Sequence, residues 1–320
     1  MPSGVYTLTV SKGLEYVRQT DTIDLKAGAA ATREYRLKRW VDMPARGWYS
    51  SDDHIHLRRS PADDPKILRW IAAEDIHVGN ILEMGDYWAT FFSQYAFGEI
   101  GRYQEADPIL SPGQEEPRTP EIGHTISLGA SEFVRFQRDY YSFDRLFDRV
   151  HELGGVTGFA HQAFSFHGYR GMVLNTIRGK TDFLELAQFC VPEGPVAVTH
   201  YYHFLNLGYK LTALAGSDFP WCGQGPEYGF SEPRFAQIGN ARFYTYVGGQ
   251  PSFERARQNE GKMQAKRSIA IQHKRLQALP FRRRSAARAT RGQRNAHSLK
   301  TRGQLGELRR TGQFKRRAPS

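Results

Sequence analysis

Hydrophobic and polar residues alternate in short runs along the first forty residues. The alternation is clearest over Tyr6–Val10, and shorter apolar runs lie at Ile23–Leu25 and Tyr35–Leu37. A period of two predicts β-strands, here three, separated by turn-rich segments. Three short strands cannot bury an apolar face alone, so residues 1–41 either pack on the next domain or form part of a β-sandwich-like module, which we favour.

From residue 42 to residue 250 the pattern changes to helices that alternate with strands. One helix is expected to begin near Pro65, a residue favoured in the first helical turn, and another after Ser142, which can cap it. Short apolar runs follow each helix, at Val78–Leu82 and Val156–Phe159. This alternation predicts one mostly parallel α/β domain.

The charge of the chain is concentrated near its end. The formal net charge is +11, but residues 255–320 hold 20 of the 44 lysines and arginines and only two of the 33 acids. The preceding residues are therefore acidic overall, and an acidic body has no electrostatic attraction for a phosphate backbone. We expect no nucleic-acid partner for the body of the protein, and any argument for one depends on the basic segment.

The basic segment, residues 251–320, has a composition that cannot easily build a core, because arginine is mixed with Ala, Ser and Gln. We expect a disordered tail or, equally, an out-of-frame stretch caused by a sequence error. A nucleic-acid-binding arm ranks behind both. The only Phe, Tyr or Trp rings in it for stacking on bases are those of Phe253, Phe281 and Phe314.

Cysteine content and hydropathy restrict the remaining classes. The two cysteines, Cys190 and Cys222, have no Cys-x-x-Cys spacing, so neither a disulfide framework nor a thiolate zinc site is indicated. No apolar stretch approaches the roughly 20 residues that span a bilayer, and the N-terminus lacks the layout of a signal peptide. The expectation is a soluble protein, cytoplasmic by default, or exported if an earlier segment carried a signal.

Histidines and carboxylates follow several of the predicted strands. His54 and His56 are two residues apart, so on a strand they project from one face and can hold one cation. His161 and Asp218 each come just after an apolar run, and active sites of parallel α/β folds gather at the carboxyl ends of strands. Singly, His161 could be a core histidine and Asp218 a helix cap. Jointly they predict a metal site, and imidazole with carboxylate suits zinc, manganese or iron.

The order and spacing of these motifs resemble the polymerase and histidinol phosphatase (PHP) domains, and within them the branch that contains carbaryl hydrolases. The resemblance covers residues 46 to 247 approximately. It implies a distorted βα barrel with two divalent metal ions, with Glu115 bridging the metals and Asp218 serving also as proton acceptor. The motifs are His54-Ile-His56, Pro112-Gly-Gln-Glu115, Gly123-His124, Gly155 to His161 and Gly216-Ser-Asp218. The implied metal ligands are His54, His56, Glu115, His124, His161 and Asp218.

The sequence departs from three-metal members of that family at two positions. Met84 and Pro220 stand where those relatives have histidines for a third metal. Two ions per chain are therefore expected, and together they lower the pKa of water from about 15.7 to about 7. The expected function is metal-dependent hydrolysis of an ester, carbamate or amide bond in a small molecule. A phosphoesterase is the alternative, and a nucleic-acid-associated protein acting through the basic segment is the alternative from another class.

Overall fold

The computed structural model describes residues 2–161, 169–188, 198–220, 222–224, 234–235, 237–248 and 268–272. All of them belong to one compact unit, residues 1–277. The elements, in chain order, are β1 (Gly4–Val10), β2 (Gln19–Leu25), a short 3-10 helix (Pro44–Arg46), β3 (Trp48–Ile55), α1 (Asp64–Ala73), β4 (Val78–Gly85), β5 (Thr90–Phe91), β6 (Tyr103–Gln104), β7 (Ile109–Thr119), β8 (Gly123–Leu128), α2 (Phe143–Glu152), β9 (Val156–Phe159), α3 (Tyr169–Ile177), β10 (Phe183–Gln188), α4 (Thr199–Asn206), β11 (Thr212–Gly216), β12 (Cys222–Gln224), β13 (Arg234–Phe235), β14 (Ala241–Tyr246) and β15 (Ser268–Gln272).

Both predicted helices and the strands after them are present. Pro65 lies in the first turn of α1, as expected, and β4 and β9 follow α1 and α2. Ser142 precedes α2 at the N-cap position, but its side chain makes no capping hydrogen bond. Within the described part of the chain, no helix combines the length and the apolar character that crossing a bilayer requires.

The main sheet curves into a nearly closed barrel, and most of its strands run in one direction. Its order is β11-β10-β9-β8-β7-β4-β3-β14-β15. From the pairings, β3, β4, β7, β9, β10 and β11 all point the same way, whereas β8 and β14 run against them. Helices α1, α3 and α4 lie between successive parallel strands, as a βα barrel requires.

The expectation of a βα barrel holds only in part, because two connections are not helical crossovers. Three residues join β7 to β8, and a connection that short can only return antiparallel. In the described segment between β4 and β7, the short strands β5 and β6 occur where a regular barrel has a helix. The architecture is therefore sheet-rich, with few helices.

Three clusters of buried side chains hold this arrangement together. One cluster takes side chains from β4, β8, β9, β10, β11 and β14, so it fills the interior of the curved sheet. A second packs α2, α3 and α4 against β9 and β10, and the third packs α1 against β3, β4 and β7. Helices thus cover the outside of the barrel, and its interior is apolar below the edge where the polar residues lie.

The two ends of the curved sheet meet at the carboxyl edge. The backbone N–H of His56 donates to the carbonyl of Phe219 at 2.6 Å, just after β11. Gly216 permits this approach, because a Cβ there would lie 2.4 Å from Asp53 Oδ1. The Asp52 carboxylate adds a second link by accepting the backbone N–H of Ser217 at 2.9 Å. The absence of a side chain at Gly216 therefore lets β11 and β3 bring their polar residues together.

At the N-terminus, two of the three predicted strands form and the third does not. Strands β1 and β2 pair antiparallel, but Tyr35–Leu37 has no regular structure. This segment is held by side chains instead: the Tyr35 hydroxyl donates to Asp21 at 2.9 Å. The Arg39 guanidinium then forms ion pairs with Glu15 and Asp75. Asp75 lies just after α1, so the N-terminal segment contacts the barrel domain there.

One short part of the basic segment forms a strand, β15. Strand β15 pairs antiparallel with β14, and its sequence, Ser-Ile-Ala-Ile-Gln, contains a short apolar run with two β-branched isoleucines, which favour strands. The arginine-rich composition around β15 outweighed this short run in the sequence-based prediction. The rest of residues 249–320, with the three phenylalanines named above, lies outside the described residues, and so does Cys190. The expected frame error and the nucleic-acid-binding arm concern that same stretch.

Candidate metal centre

The six predicted ligands lie at the carboxyl edge of the barrel. His54, His56, His161 and Asp218 stand at or just after the ends of parallel strands, and Glu115 lies in the second half of β7. His124 reaches the same edge from the opposite direction, because β8 runs antiparallel and begins there. All six side chains are buried. The structure therefore brings together residues that are up to 164 positions apart in the sequence.

Two of these residues hold a strained backbone. His161 has a φ of 51° and Asp218 a φ of 54°, in the left-handed region that residues with a Cβ rarely adopt. Each follows the end of its strand, where the chain turns sharply. Such conformations cost on the order of 1–3 kcal/mol and cluster at functional sites. The strain at His161 and Asp218 turns both side chains towards the centre of the edge.

Four donor atoms converge on one point of this cluster. The Nε2 atoms of His54 and His56 are 3.1 Å apart, and each lies 3.3 Å from Asp218 Oδ1. Glu115 Oε2 is 3.2 Å from His56 Nε2 and 3.7 Å from His54 Nε2. His54, His56 and Asp218 thus form a triplet compact enough to hold one metal ion.

The partners of the two Nδ1 atoms indicate which nitrogen of each imidazole carries the proton. His54 Nδ1 is 2.9 Å from a Glu185 carboxylate oxygen, and His56 Nδ1 is 3.3 Å from the Leu82 carbonyl. Both partners are acceptors, so each Nδ1 carries a proton and donates a hydrogen bond. The facing Nε2 atoms of neutral rings then present lone pairs to each other and to the carboxylates. Positive charge between converging acceptors stabilises them, either as a proton on one ring or as a metal ion, and the residues fit a metal ion.

A second triplet of donors shares His54 with the first. His54, Glu115 and His161 also lie close enough to hold an ion. His161 Nε2 is 3.6 Å from Glu115 Oε1 and 3.4 Å from Asp218 Oδ2. His124 Nδ1 stands 2.9 Å from Glu115 Oε1. His54 thus belongs to both groups, and His124 contacts Glu115, a member of the second.

The electrostatics of the cluster favour ionised carboxylates and positive charge between them. Burial opposes ionisation of Glu115, but the Arg118 guanidinium and His124 hold the pKa of Glu115 well below its ordinary value. Burial also opposes a charge on His54, yet the Asp218 and Glu185 carboxylates raise its pKa well above normal. Burial lowers the pKa of His124 to about 4, which keeps that ring neutral and able to donate a lone pair.

Sequence reasoning missed Glu185, which supports two of the candidate ligands. It is fully buried in β10, and its carboxylate accepts from His54 Nδ1 and, at 2.7 Å, from the backbone N–H of His161. Metal-binding histidines commonly donate their second nitrogen to such a carboxylate, which fixes the ring. The one signal for it was an acid inside the apolar run Phe183-Leu-Glu-Leu-Ala187.

Arg118 also escaped sequence reasoning. Its Nε lies 3.0 Å from Glu115 Oε2. Residues three apart on a regular strand face opposite sides, but the register of β7 against β8 shifts between Glu115 and Arg118. The irregularity returns Arg118 to the face that carries Glu115. No sequence pattern marked it.

Two acids, Glu83 in β4 and Asp86 just after it, bind the backbone of the loop that follows β4. Glu83 accepts the backbone N–H of Gln94 at 2.8 Å. Asp86 accepts the backbone N–H groups of Trp88 and Ala89, each at 2.8 Å. These bonds fix the loop.

Replacement of Glu185 by glutamine should weaken metal binding without unfolding the protein. The amide keeps the shape but removes the charge that orients His54, and loss of such a partner costs metal affinity about 10- to 100-fold. Competition with a chelating dye measures the affinity. The matched control is Glu152→Gln at the end of α2, where the side chain is 63% exposed. Equal affinities in the two variants would remove Glu185 from the site.

A barrel-like sheet with buried histidines and carboxylates at its carboxyl edge defines the class: a protein with side-chain groups that could bind divalent metal ions. No protein-family model matches the chain, and no curated protein matches it either.

Two solved structures share part of this architecture. One is a two-domain protein from Bacteroides vulgatus, described as containing a predicted PHP-like metal-dependent phosphoesterase, with 14% identity and a TM-score of 0.45 over 71% of this chain. The present chain spans 65% of that protein's length. The other is PsfC from Pseudomonas syringae, with 11% identity and a TM-score of 0.40 over 71% of this chain and 92% of that one. Likenesses this weak do not assign the chain to a family.

Proposed function

We propose that the protein is a metal-dependent hydrolase of the PHP type that uses two divalent ions, zinc, manganese or iron, to cleave an ester, carbamate or amide bond. One observation carries the proposal. The Nε2 atoms of His54 and His56 face each other at 3.1 Å beside the Asp218 and Glu115 carboxylates. The order of the five motifs supports the PHP assignment, and the metal triplets support the use of metal ions.

Glu115, Asp218 and Glu185 have different roles in the proposed hydrolysis. Divalent ions, when bound, lower the pKa of water and polarise the carbonyl that is attacked. Glu115 contacts donors of both triplets, so it ties the two subsites together. Asp218 Oδ2 and Oδ1 face His161 and His56, respectively, and the carboxylate can accept the proton that water gives up. Glu185 holds His54 in the tautomer that leaves its Nε2 unprotonated.

A phosphoesterase is the second candidate, and Arg118 favours it. A guanidinium beside Glu115 offers planar, bidentate recognition of phosphate oxygens. The same two-metal chemistry serves acyl and phosphoryl centres. A panel that includes carboxylic esters, carbamates, amides and phosphoesters separates these candidates.

Removing the metal ions should abolish hydrolysis, and returning zinc, manganese or iron should restore it. Chelation followed by dialysis, activity on the substrate panel and elemental analysis measure this. We expect two ions per chain, because Met84 offers only a soft thioether and Pro220 no side-chain donor for a third. Full turnover by ion-free protein would overturn the proposal, whereas three tightly bound ions would overturn only the count.

A further inference from the structure

Arg118 is an arginine placed against a cluster that already favours cations. Its Nε is fully buried beside Glu115 Oε2, but the side chain as a whole remains 18% exposed. Its backbone N–H donates to the Tyr140 hydroxyl at 3.0 Å, which fixes the residue at the irregularity in β7. Among the described residues, Glu115 is the one acid with which the guanidinium forms an ion pair.

Among the described residues, most of the guanidinium has no partner in the protein. A guanidinium has five N–H groups in a planar fork, and in Arg118 the Nε–H faces Glu115 as an ion pair without forming a hydrogen bond. The two terminal nitrogens carry the other four, in the arrangement that binds a carboxylate or phosphate with two parallel hydrogen bonds. Arg135, by comparison, donates to Thr90 Oγ1 and to the Asp86 carbonyl. Arg118 therefore differs from a structural arginine in its free donor capacity.

The charge balance points in the same direction. Two divalent ions would outweigh the Glu115 and Asp218 carboxylates that face them, and the Arg118 guanidinium adds a further positive charge. Unit charges a few ångströms apart in a buried site interact strongly, so this excess stabilises an incoming anion. Building on the proposed function, we infer that Arg118 binds an oxyanion of the substrate, so that the enzyme prefers anionic substrates to neutral ones.

The test compares substrates that share one leaving group. p-Nitrophenyl butyrate is neutral, p-nitrophenyl hemisuccinate carries a carboxylate away from the scissile bond, and p-nitrophenyl phosphate carries the anion at the scissile centre. For metal-loaded wild type, kcat/KM should be higher for an anionic substrate than for the butyrate. Arg118→Gln should lower that ratio about 10- to 100-fold, the effect of one charged hydrogen-bonding partner, mainly through KM. Arg118→Lys should retain part of the preference.

The ratio is independent of how much of each variant is loaded with metal, because both substrates meet the same active fraction. Preference for hemisuccinate assigns a separate carboxylate subsite, and preference for the phosphate assigns recognition of the scissile group. An unchanged ratio in Arg118→Gln overturns the inference and leaves the proposed function intact. If wild type hydrolyses none of the three, the proposed function fails for these substrates, and calorimetric binding of succinate to wild type and Arg118→Gln still decides whether Arg118 binds oxyanions.

Discussion

Replacing His54 by alanine should abolish turnover, with a loss of more than about 100-fold. Loss of a residue that merely supports a ligand costs up to about 100-fold in metal affinity or activity, and His54 belongs to both donor triplets. The His54 Nε2 atom faces Asp218 and Glu115, so removing the imidazole takes one candidate ligand from each triplet. Activity on the best substrate and elemental analysis of the purified variant measure the effect.

The fold should survive this change. His54 contacts polar groups and not the apolar interior. The main loss of folding free energy, about 1–3 kcal/mol, comes from the Glu185 oxygen that no longer accepts a hydrogen bond. Thermal unfolding in the presence of a chelator separates that cost from the loss of metal. His203→Ala is the matched control, because this histidine is exposed at the end of α4. A His54→Ala protein with wild-type turnover would contradict the whole assignment of the site.

The parts of the site that follow local rules could be predicted from the sequence. Strand alternation places His54 and His56 on one face, and the structure has their Nε2 atoms 3.1 Å apart. The rule that active residues follow the carboxyl ends of parallel strands applies to His161 and Asp218. Both rules need only the type of element and its end, which short-range patterns indicate well.

The parts that depend on direction and register could not be predicted. Apolar runs do not show whether a strand is parallel or antiparallel, so the reversal of β8, which brings His124 to the site, was not foreseen. Arg118 reaches Glu115 through an irregularity in β7 that leaves no mark in composition. Glu185 contacts a histidine 131 residues away, and only the closed barrel brings them together.

The same distinction explains the two ends of the chain. The Tyr35–Leu37 run alternates like a strand, but β2 and the loops around it hold that segment by side chains, as in the bond from Tyr35 to Asp21. Strand β15, in contrast, lies in a segment whose arginine content predicts disorder, and it pairs with the edge of β14 opposite to β3. In both cases the presence or absence of a pairing strand outweighed the local pattern.

Glu115→Gln should be almost as severe as His54→Ala, although it changes one atom type and almost no volume. Glu115 faces members of both triplets, with Oε1 facing His161 and His124 and Oε2 facing His56 and Arg118. A neutral amide cannot balance two divalent ions and leaves the buried Arg118 Nε beside an uncharged group. We expect fewer than two ions per chain and a fall in activity of more than about 100-fold.

The neighbouring residue supplies a matched control for this prediction. Burial raises the pKa of Glu116 to about 8, so at neutral pH its side chain is mostly an uncharged acid. Glu116→Gln therefore replaces one neutral group by another of the same shape, and metal content and activity should remain close to wild type. Both variants alter one buried glutamate of the same strand, so strain from the substitution itself affects them alike. Glu115→Gln protein that retains both ions and its rate would show that Glu115 does not bridge the subsites.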